Sequence, residues 1–125
     1  MVKVLVTGSA GFIGMHLCKS LLNDGYDVYG IDNMNSYYST TLKKNRLSKL
    51  NEYKNFNFIE ADICDELKIA SVFQKFKPQK VVNLAAQAGV RYSLENPKAY
   101  VDSNVLGFMN ILESCRHYDV EGLIY

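Results

Sequence analysis

Two kinds of segment alternate along this chain, and their order limits the fold more than any other feature of the sequence. Short runs rich in β-branched and aromatic residues predict strands, the first of them over residues 2–6. Between these runs, apolar residues recur three and four positions apart, as they do on one face of an amphipathic helix. Strands that alternate with helices are typical of a parallel sheet covered on both sides. We therefore expect a Rossmann-type doubly wound α/β fold of three α/β/α layers, with strand order 3-2-1-4-5.

The apolar pattern also predicts where each element lies. The predicted strands cover residues 2–6, 26–31, 56–59, 81–84 and, at the end of the sequence, 122–125. The first helix is expected to bury Ile13, Leu17 and Leu21, with Phe12 and Leu22 beside them. A second helix over 42–50 is expected to turn a basic face to solvent, and Asp65 to cap a third helix.

The last helix is expected to start at Asn96-Pro97, because Asn is a good cap and Pro suits the first helical position. Its spacing predicts one continuous helix with a single buried apolar face. The residues assigned to that face are Val101, Val105, Phe108, Leu112 and Cys115.

Composition excludes several classes of partner. The 14 basic and 13 acidic side chains give a formal net charge of +1, which offers no electrostatic basis for binding nucleic acid or an anionic membrane. No apolar run approaches the roughly 18 residues that a membrane helix needs. Three cysteines at spacings that fit no metal motif predict free thiols, no metal site and a reducing, cytoplasmic location.

A glycine loop lies between the first predicted strand and the first helix. Gly8, Gly11 and Gly14 follow a G-x-x-G-x-x-G pattern, with Phe12 and Ile13 in its second half. Glycine lets the backbone turn tightly and approach a pyrophosphate, and the helix N-terminus offers free N–H groups and the positive end of a dipole. The loop and these five residues are therefore predicted to bind the pyrophosphate of a dinucleotide.

An acidic residue ends the second predicted strand, 21 residues after Gly11. This residue, Asp32, is where a dinucleotide-binding fold carries the carboxylate that bonds the adenosine ribose hydroxyls. A carboxylate repels a 2′-phosphate, and the first cation after it is Lys43, so the sequence predicts NAD rather than NADP. The cations of the 43–54 segment are interpreted as a solvated helix face.

The ends of the next two strands carry further candidates. Asp62 and Ile63 follow the third strand, where they are expected to contact the adenine. Leu84, Ala85 and Ala86 follow the fourth, where small side chains would let the backbone approach the nicotinamide.

At these residues the sequence resembles the NAD-dependent epimerase/dehydratase family of extended short-chain dehydrogenases/reductases. Two stretches, 32–38 and 85–93, are similar to the subfamily of bacterial UDP-glucuronate 4-epimerases, often encoded with capsule polysaccharide genes. The resemblance implies bound NAD, a UDP-sugar substrate and a homodimeric full-length protein. It also implies cofactor contacts from Asn33, Asn35, Ser36, Ser103 and Asn104, and substrate contacts from Gln87, Arg91 and Ser93.

The same resemblance implies a catalytic Tyr-x-x-x-Lys pair, which this sequence lacks. None of the nine tyrosines is followed by a lysine four positions later. We therefore expect residues 1–125 to be an incomplete NAD(P)-binding domain, the N-terminal portion of an epimerase, without catalytic residues and inactive alone. The alternatives are a fragment of a sugar-nucleotide dehydratase or reductase, and a non-catalytic NAD(H)-binding module.

Several residues have two interpretations on sequence alone. Arg91 either faces a uronate carboxylate or phosphate or is a solvated loop cation. Asn104, inside an apolar helix beside Ser103, either contacts the cofactor or a loop or makes a structural hydrogen bond. Tyr37 and Tyr38 either cover the adenosine or belong to an exposed turn.

Overall fold

Five parallel strands form one sheet in the order β3-β2-β1-β4-β5, as the sequence predicts. The computed structural model describes residues 1–125. The strands are β1 (Lys3–Thr7), β2 (Asp27–Asp32), β3 (Phe56–Glu60), β4 (Lys80–Asn83) and β5 (Gly122–Ile124). The α-helices are α1 (Phe12–Asn23), α2 (Thr40–Leu50), α3 (Glu66–Phe76), α4 (Tyr92–Glu95), α5 (Pro97–Val101) and α6 (Phe108–His117). A π-helical segment, Asp102–Gly107, joins α5 to α6.

The central strand β1 is buried on both faces, which explains the apolar run from Val4 to Val6 at its centre. Successive side chains of a strand point to opposite sides, so Val4 and Val6 enter one core and Leu5 enters the other. Helices α1 and α2 cover the first core, and α3 and α6 cover the second. The three-layer α/β/α arrangement predicted from the strand–helix alternation is confirmed.

The caps predicted from sequence are present. Asp65 accepts a hydrogen bond from the Lys68 amide at 3.1 Å, and α3 follows it. Asn96 caps α5 through the Ala99 amide at 3.3 Å, with Pro97 at the first helical position. No helix of the structure combines the length and the apolar character needed to cross a membrane.

The predicted buried face of α1 is wrong only in the first turn, because Leu17, Leu21 and Leu22 do pack against the core. Phe12 and Ile13 are 66% and 68% exposed, whereas Met15, Cys18 and Leu22 pack into the core. Those three positions also follow helical spacing, so the sequence contains two overlapping apolar faces. The first turn determines which of these faces is buried. Gly14 packs against the backbone of the glycine loop, so the side of the helix that carries Gly14 faces the sheet.

The last helix runs without a break from Pro97 to His117, as predicted, but its π-helical segment changes which face is buried. A π-turn accommodates an extra residue and so shifts the phase of all that follows. Val101, Val105 and Leu112, assigned to the core, are 57%, 63% and 42% exposed. The buried face of α6 instead carries Asn110, Ile111 and Ser114.

Two aliphatic residues in α3 provide a test of this burial. Ile69 is fully buried, and Leu67, two positions earlier, is 83% exposed. We expect Ile69→Ala to lower the free energy of unfolding by about 2–5 kcal/mol, through lost apolar contact and a residual cavity. Leu67→Ala should change it by less than about 0.5 kcal/mol. Urea unfolding of both variants measures the difference, and equal losses would contradict the assigned core.

Candidate functional site

A cavity of about 460 Å³ opens beyond the carboxyl ends of β1, β2, β3 and β4. This volume falls within the range of small-molecule sites, and its position is the usual one for ligands of open α/β sheets. The predicted site residues that line it are Gly8, Gly11, Phe12, Ile13, Gly14, Asp32, Asn33, Asn35, Asp62, Ile63, Leu84, Ala85, Ala86, Gln87 and Ser103. The sequence motifs therefore converge on one site.

The glycine loop forms the first wall of the cavity. Gly8 has a φ of 73°, in the left-handed region, and its amide donates to the Ile31 carbonyl at 2.7 Å. A Cβ on Gly14 would overlap the Gly8 carbonyl group, 2.8 Å from its carbon atom. Glycine at both positions therefore lets α1 begin directly against the end of β1.

The N-terminus of α1 faces the cavity without competition from its own side chains. Gly11 occupies the cap position, so no side chain bonds to the free N–H groups of the first turn. That turn also contains no acidic residue. The free donors and the helix dipole can therefore act together on an anion held by the loop.

Asp32, the last residue of β2, lines the same cavity and is only 6% exposed. Its Oδ2 atom accepts a hydrogen bond from the Ala10 amide at 3.1 Å, and Oδ1 accepts one from the Met34 amide at 2.8 Å. These two donors fix the carboxylate between the glycine loop and the segment after β2. Such a carboxylate can bond ribose hydroxyls with the acceptor capacity that remains.

The prediction that Lys43 lies on a solvated helix face is wrong. This lysine is 6% exposed and its Nζ atom lies 3.4 Å from Asp32 Oδ1. The same Nζ donates at 3.3 Å to both the backbone carbonyl and the side-chain oxygen of Asn35. Lys43 thus has three acceptors, which compensates a cation that would otherwise be costly to bury.

Arg46 also departs from that prediction. It is half-buried, donates to the Ala10 carbonyl at 3.1 Å and lies 5.9 Å from the centre of the Phe12 ring. Arg46 and Lys43 line the cavity, and sequence reasoning missed both. The available signal was their spacing from Leu47 and Leu50, which places Lys43 on the buried face of α2.

The loops after β3 and β4 complete the cavity floor. The Thr7 hydroxyl donates to Asn83 Oδ1 at 2.5 Å and accepts from the amides of Leu84 and Ala85 at 3.1 Å. This ties the loop after β4 to the end of β1. After β3, Asp62 Oδ1 accepts from the Cys64 amide at 2.9 Å, and its side chain borders the cavity.

The last helix holds both of these loops through asparagine side chains. Asn104, in the π-helical segment, accepts from the Gln87 amide at 2.8 Å and donates to the Gln87 carbonyl at 3.2 Å. Asn110 donates to the Ile63 carbonyl at 2.8 Å. Of the alternatives that the sequence left open for Asn104, the structure contains the loop contact, while the neighbouring Ser103 borders the cavity.

Four of the predicted site residues lie outside the cavity lining: Ser36, Arg91, Ser93 and Asn104. Arg91 is exposed, and the Ser93 hydroxyl donates to the Val90 carbonyl at 2.5 Å. Their proposed ligand contacts stay predictions.

Tyrosines border one side of the cavity. Tyr37 and Tyr38 line it, and the Tyr37 ring packs against Tyr38 and Tyr92 at centroid distances of 4.8 and 4.9 Å. Desolvation, with smaller contributions from Tyr37, Tyr92 and Tyr38, raises the pKa of Tyr100 above its usual value. Because Tyr37 and Tyr38 line the cavity, this pair contributes to the cavity wall as well as to a turn.

The three cysteines are free. Burial raises the pKa of Cys18 to about 12 and that of Cys115 to about 11. Burial, followed by the hydrogen bond with Asp62, raises the pKa of Cys64 to about 11. All three thiols are therefore protonated at neutral pH and are weak nucleophiles.

The family model described as GDP-mannose 4,6 dehydratase matches residues 5–124. The chain belongs to this family. Among its relatives, the protein CapI of Staphylococcus aureus is 51% identical over 123 residues, covering 98% of this chain and 36% of CapI. The UDP-glucuronate 4-epimerase of Thermodesulfobacterium geofontis is 45% identical over 120 residues, covering 96% of this chain and 37% of that protein.

Solved structures of family members show the same fold. The UDP-glucuronic acid 4-epimerase of Bacillus cereus, in complex with UDP-glucuronic acid and NAD, has a TM-score of 0.89 at 37% identity. That comparison covers 98% of this chain and 38% of the Bacillus chain. This chain thus spans little more than a third of the length of the relatives it matches.

Two glycine substitutions test the contact between loop and helix. We expect Gly14→Ala to lower the free energy of unfolding by about 1–3 kcal/mol, because its methyl group would overlap the Gly8 backbone. In the control, Gly122→Ala, the new Cβ would lie 3.5 Å from Lys80 Cδ, an ordinary contact. Urea unfolding compares the two, and the prediction fails if both variants are equally stable.

Proposed function

We propose that this chain is the NAD-binding portion of a nucleotide-sugar 4-epimerase that converts UDP-glucuronate to UDP-galacturonate by transient oxidation at C4. One observation carries the proposal. The free N-terminus of α1 and the fixed Asp32 carboxylate line the same cavity, in the arrangement that a dinucleotide requires. Relatives named as UDP-glucuronate 4-epimerases support the substrate.

Each wall of the cavity has a proposed role. The loop from Gly8 to Gly14, including Gly11, Phe12 and Ile13, holds the pyrophosphate through backbone N–H groups. Asp32 accepts the ribose hydroxyls, and the segment after it contacts the adenosine through Asn33, Asn35 and Ser36. Asp62 and Ile63 contact the adenine, whereas Leu84, Ala85, Ala86 and Ser103 form the nicotinamide side, beside the loop that Asn104 holds through Gln87.

When bound, NAD supplies a hydride acceptor for the sugar C4. The chain's own task is to fix the position of the nicotinamide ring and to exclude water from it, because holding the reacting groups in the right geometry contributes substantially to the rate of such reactions. Gln87, Arg91 and Ser93, all in or after the loop that follows β4, are the proposed contacts to the nucleotide sugar. The proton of the 4-hydroxyl needs a base, and no Tyr-x-x-x-Lys pair occurs in these 125 residues.

A sugar-nucleotide dehydratase is the second candidate, because the matching family model carries that description. The relatives that are 45–47% identical and named UDP-glucuronate 4-epimerase favour the epimerase. A non-catalytic NAD(H)-binding module is the third candidate, because binding alone would need only the residues that line the cavity.

We further infer a homodimeric full-length protein in the cytoplasm. Exposed apolar side chains follow one another along the last helix, among them Val101, Val105 and Met109, and such a row favours a protein partner. Three free thiols are typical of a reducing compartment.

Replacing Asp32 tests the cofactor assignment. Asp32→Ala should weaken NAD binding by about 1–3 kcal/mol, the cost of losing a charged hydrogen-bond partner. Asp24→Ala, at an exposed aspartate after α1, is the control and should leave the affinity unchanged. Calorimetric titration measures both. An unmodified chain with equal affinity for NAD and NADP would argue against the assigned role of Asp32.

The chain alone should not epimerise UDP-glucuronate. General acid–base help is typically worth 10²–10⁴ in rate, and the phenol–lysine pair that supplies it in the family is missing from this sequence. The test incubates the purified chain with NAD and UDP-glucuronate and assays UDP-galacturonate by chromatography. Sustained formation of product, in a preparation free of host epimerase, would show that other residues act as the base.

A further inference from the structure

We propose that Lys43 is a specificity-determining residue, which sets how strongly the cavity prefers NAD over NADP. The inference rests on the proposed function and concerns the ribose end of the same site. Through its ion pair with Asp32, the lysine offsets the charge by which that carboxylate would repel a 2′-phosphate. The preference for NAD is therefore smaller than an acid at this position alone would give.

The first support is the burial of the pair. Lysine is rarely buried unless it is paired, and here the side chains of Lys43 and Asp32 are only 8% and 7% exposed. Their Nζ···Oδ1 distance is 3.4 Å. A pair this far from bulk water is weakly screened, so each charge strongly alters the potential that a ligand meets.

The second support is the balance of charge around the cavity. Two acidic residues line it, Asp32 and Asp62, and two basic residues also line it, Lys43 and Arg46. The sequence indicated an acidic ribose site, because it placed the cations of α2 in solvent. The structure instead gives a formally neutral lining with both cations on α2.

The third support is that Asp32 keeps other donors. Its carboxylate also accepts from the amides of Ala10 and Met34, at 3.1 and 2.8 Å. Removing the lysine charge would leave the carboxylate held and facing the ligand, now without a counter-charge. Conversely, removing the acid charge with Asp32→Asn would leave Lys43 with neutral acceptors only, so that its charge would be available to a phosphate.

A purely structural role makes a different prediction. Lys43 joins α2 to Asn35 in the segment after β2, so its loss could loosen the whole ribose end. A loosened site would bind NAD and NADP less well by the same factor. A specificity role changes the ratio of the two affinities, and only that ratio separates the alternatives.

The experiment is a double-mutant cycle on the 125-residue chain, built from Lys43→Met, Asp32→Asn and the double variant. Calorimetry at one low ionic strength measures the dissociation constants for NAD and NADP. Lys43→Met should raise the preference for NAD about tenfold, which corresponds to about 1.4 kcal/mol. Asp32→Asn should lower the preference about tenfold. Adding Lys43→Met to Asp32→Asn should then weaken NADP binding about tenfold while changing NAD binding little.

Two further variants control for folding and for nonspecific charge. Lys43→Arg keeps the cation and should leave the preference within about threefold of wild type. Lys44→Met removes the neighbouring, exposed lysine on α2 and should leave the preference unchanged. Urea unfolding confirms that each variant is folded at the temperature of the titrations.

Three outcomes overturn the inference. If Lys43→Met weakens NAD and NADP equally, the lysine is only a structural tie. If the double variant binds NADP as well as Asp32→Asn does, the lysine does not act on the 2′-phosphate. If the wild-type chain binds neither dinucleotide, the proposed function fails and the inference fails with it, which distinguishes this outcome from the other two.

Discussion

The close approach of two backbone segments, at Gly8 and Gly14, governs much of this structure. With no side chain at either position, α1 starts directly against the end of β1, and a single Cβ at Gly14 would overlap the Gly8 carbonyl. This contact sets which face of α1 meets the sheet, and so buries Met15, Cys18 and Leu22. It also directs the free N–H groups of the helix start toward the cavity. Packing of the first layer and the anion-binding end of the site therefore have one cause.

Features that depend on short stretches of sequence were predictable. The parallel sheet covered on both sides follows from alternating strands and helices with right-handed crossovers, and the caps at Asp65 and Asn96 follow from local chemistry. The glycine loop and Asp32 belong to a pattern of fixed spacing, and the structure brings both to one cavity. In each case the determining atoms lie within one element or in its immediate neighbours.

Features that depend on distant contacts were not predictable in the same way. In the first turn of α1, the contact at Gly14 turns Gly14 and Met15 inward and leaves the larger Phe12 and Ile13 exposed. Lysine is typical of a surface position, and the burial of Lys43 is made tolerable by acceptors outside its own helix, on Asp32 and Asn35. The π-helical segment has no signal in apolar spacing, because the contacts that accompany it, from Asn104 to Gln87 and from Asn110 to Ile63, join residues far apart in sequence.

The two ends of the cavity are held by different kinds of interaction. At the end that contains Asp32, its carboxylate bonds to Ala10 and Lys43 in buried contacts that water cannot readily replace. At the other end, the bonds between Asn104 and Gln87 are exposed, and the contact between Tyr37 and Tyr92 joins an exposed ring to a half-buried one. Exposed hydrogen bonds compete with water and contribute less to local stability than buried ones. The end that contains Asp32 is consequently the more firmly held part of the site. A ligand that spans both ends would be positioned mainly by its contacts near Asp32. The conformational entropy lost on binding would come mainly from the loop after β4.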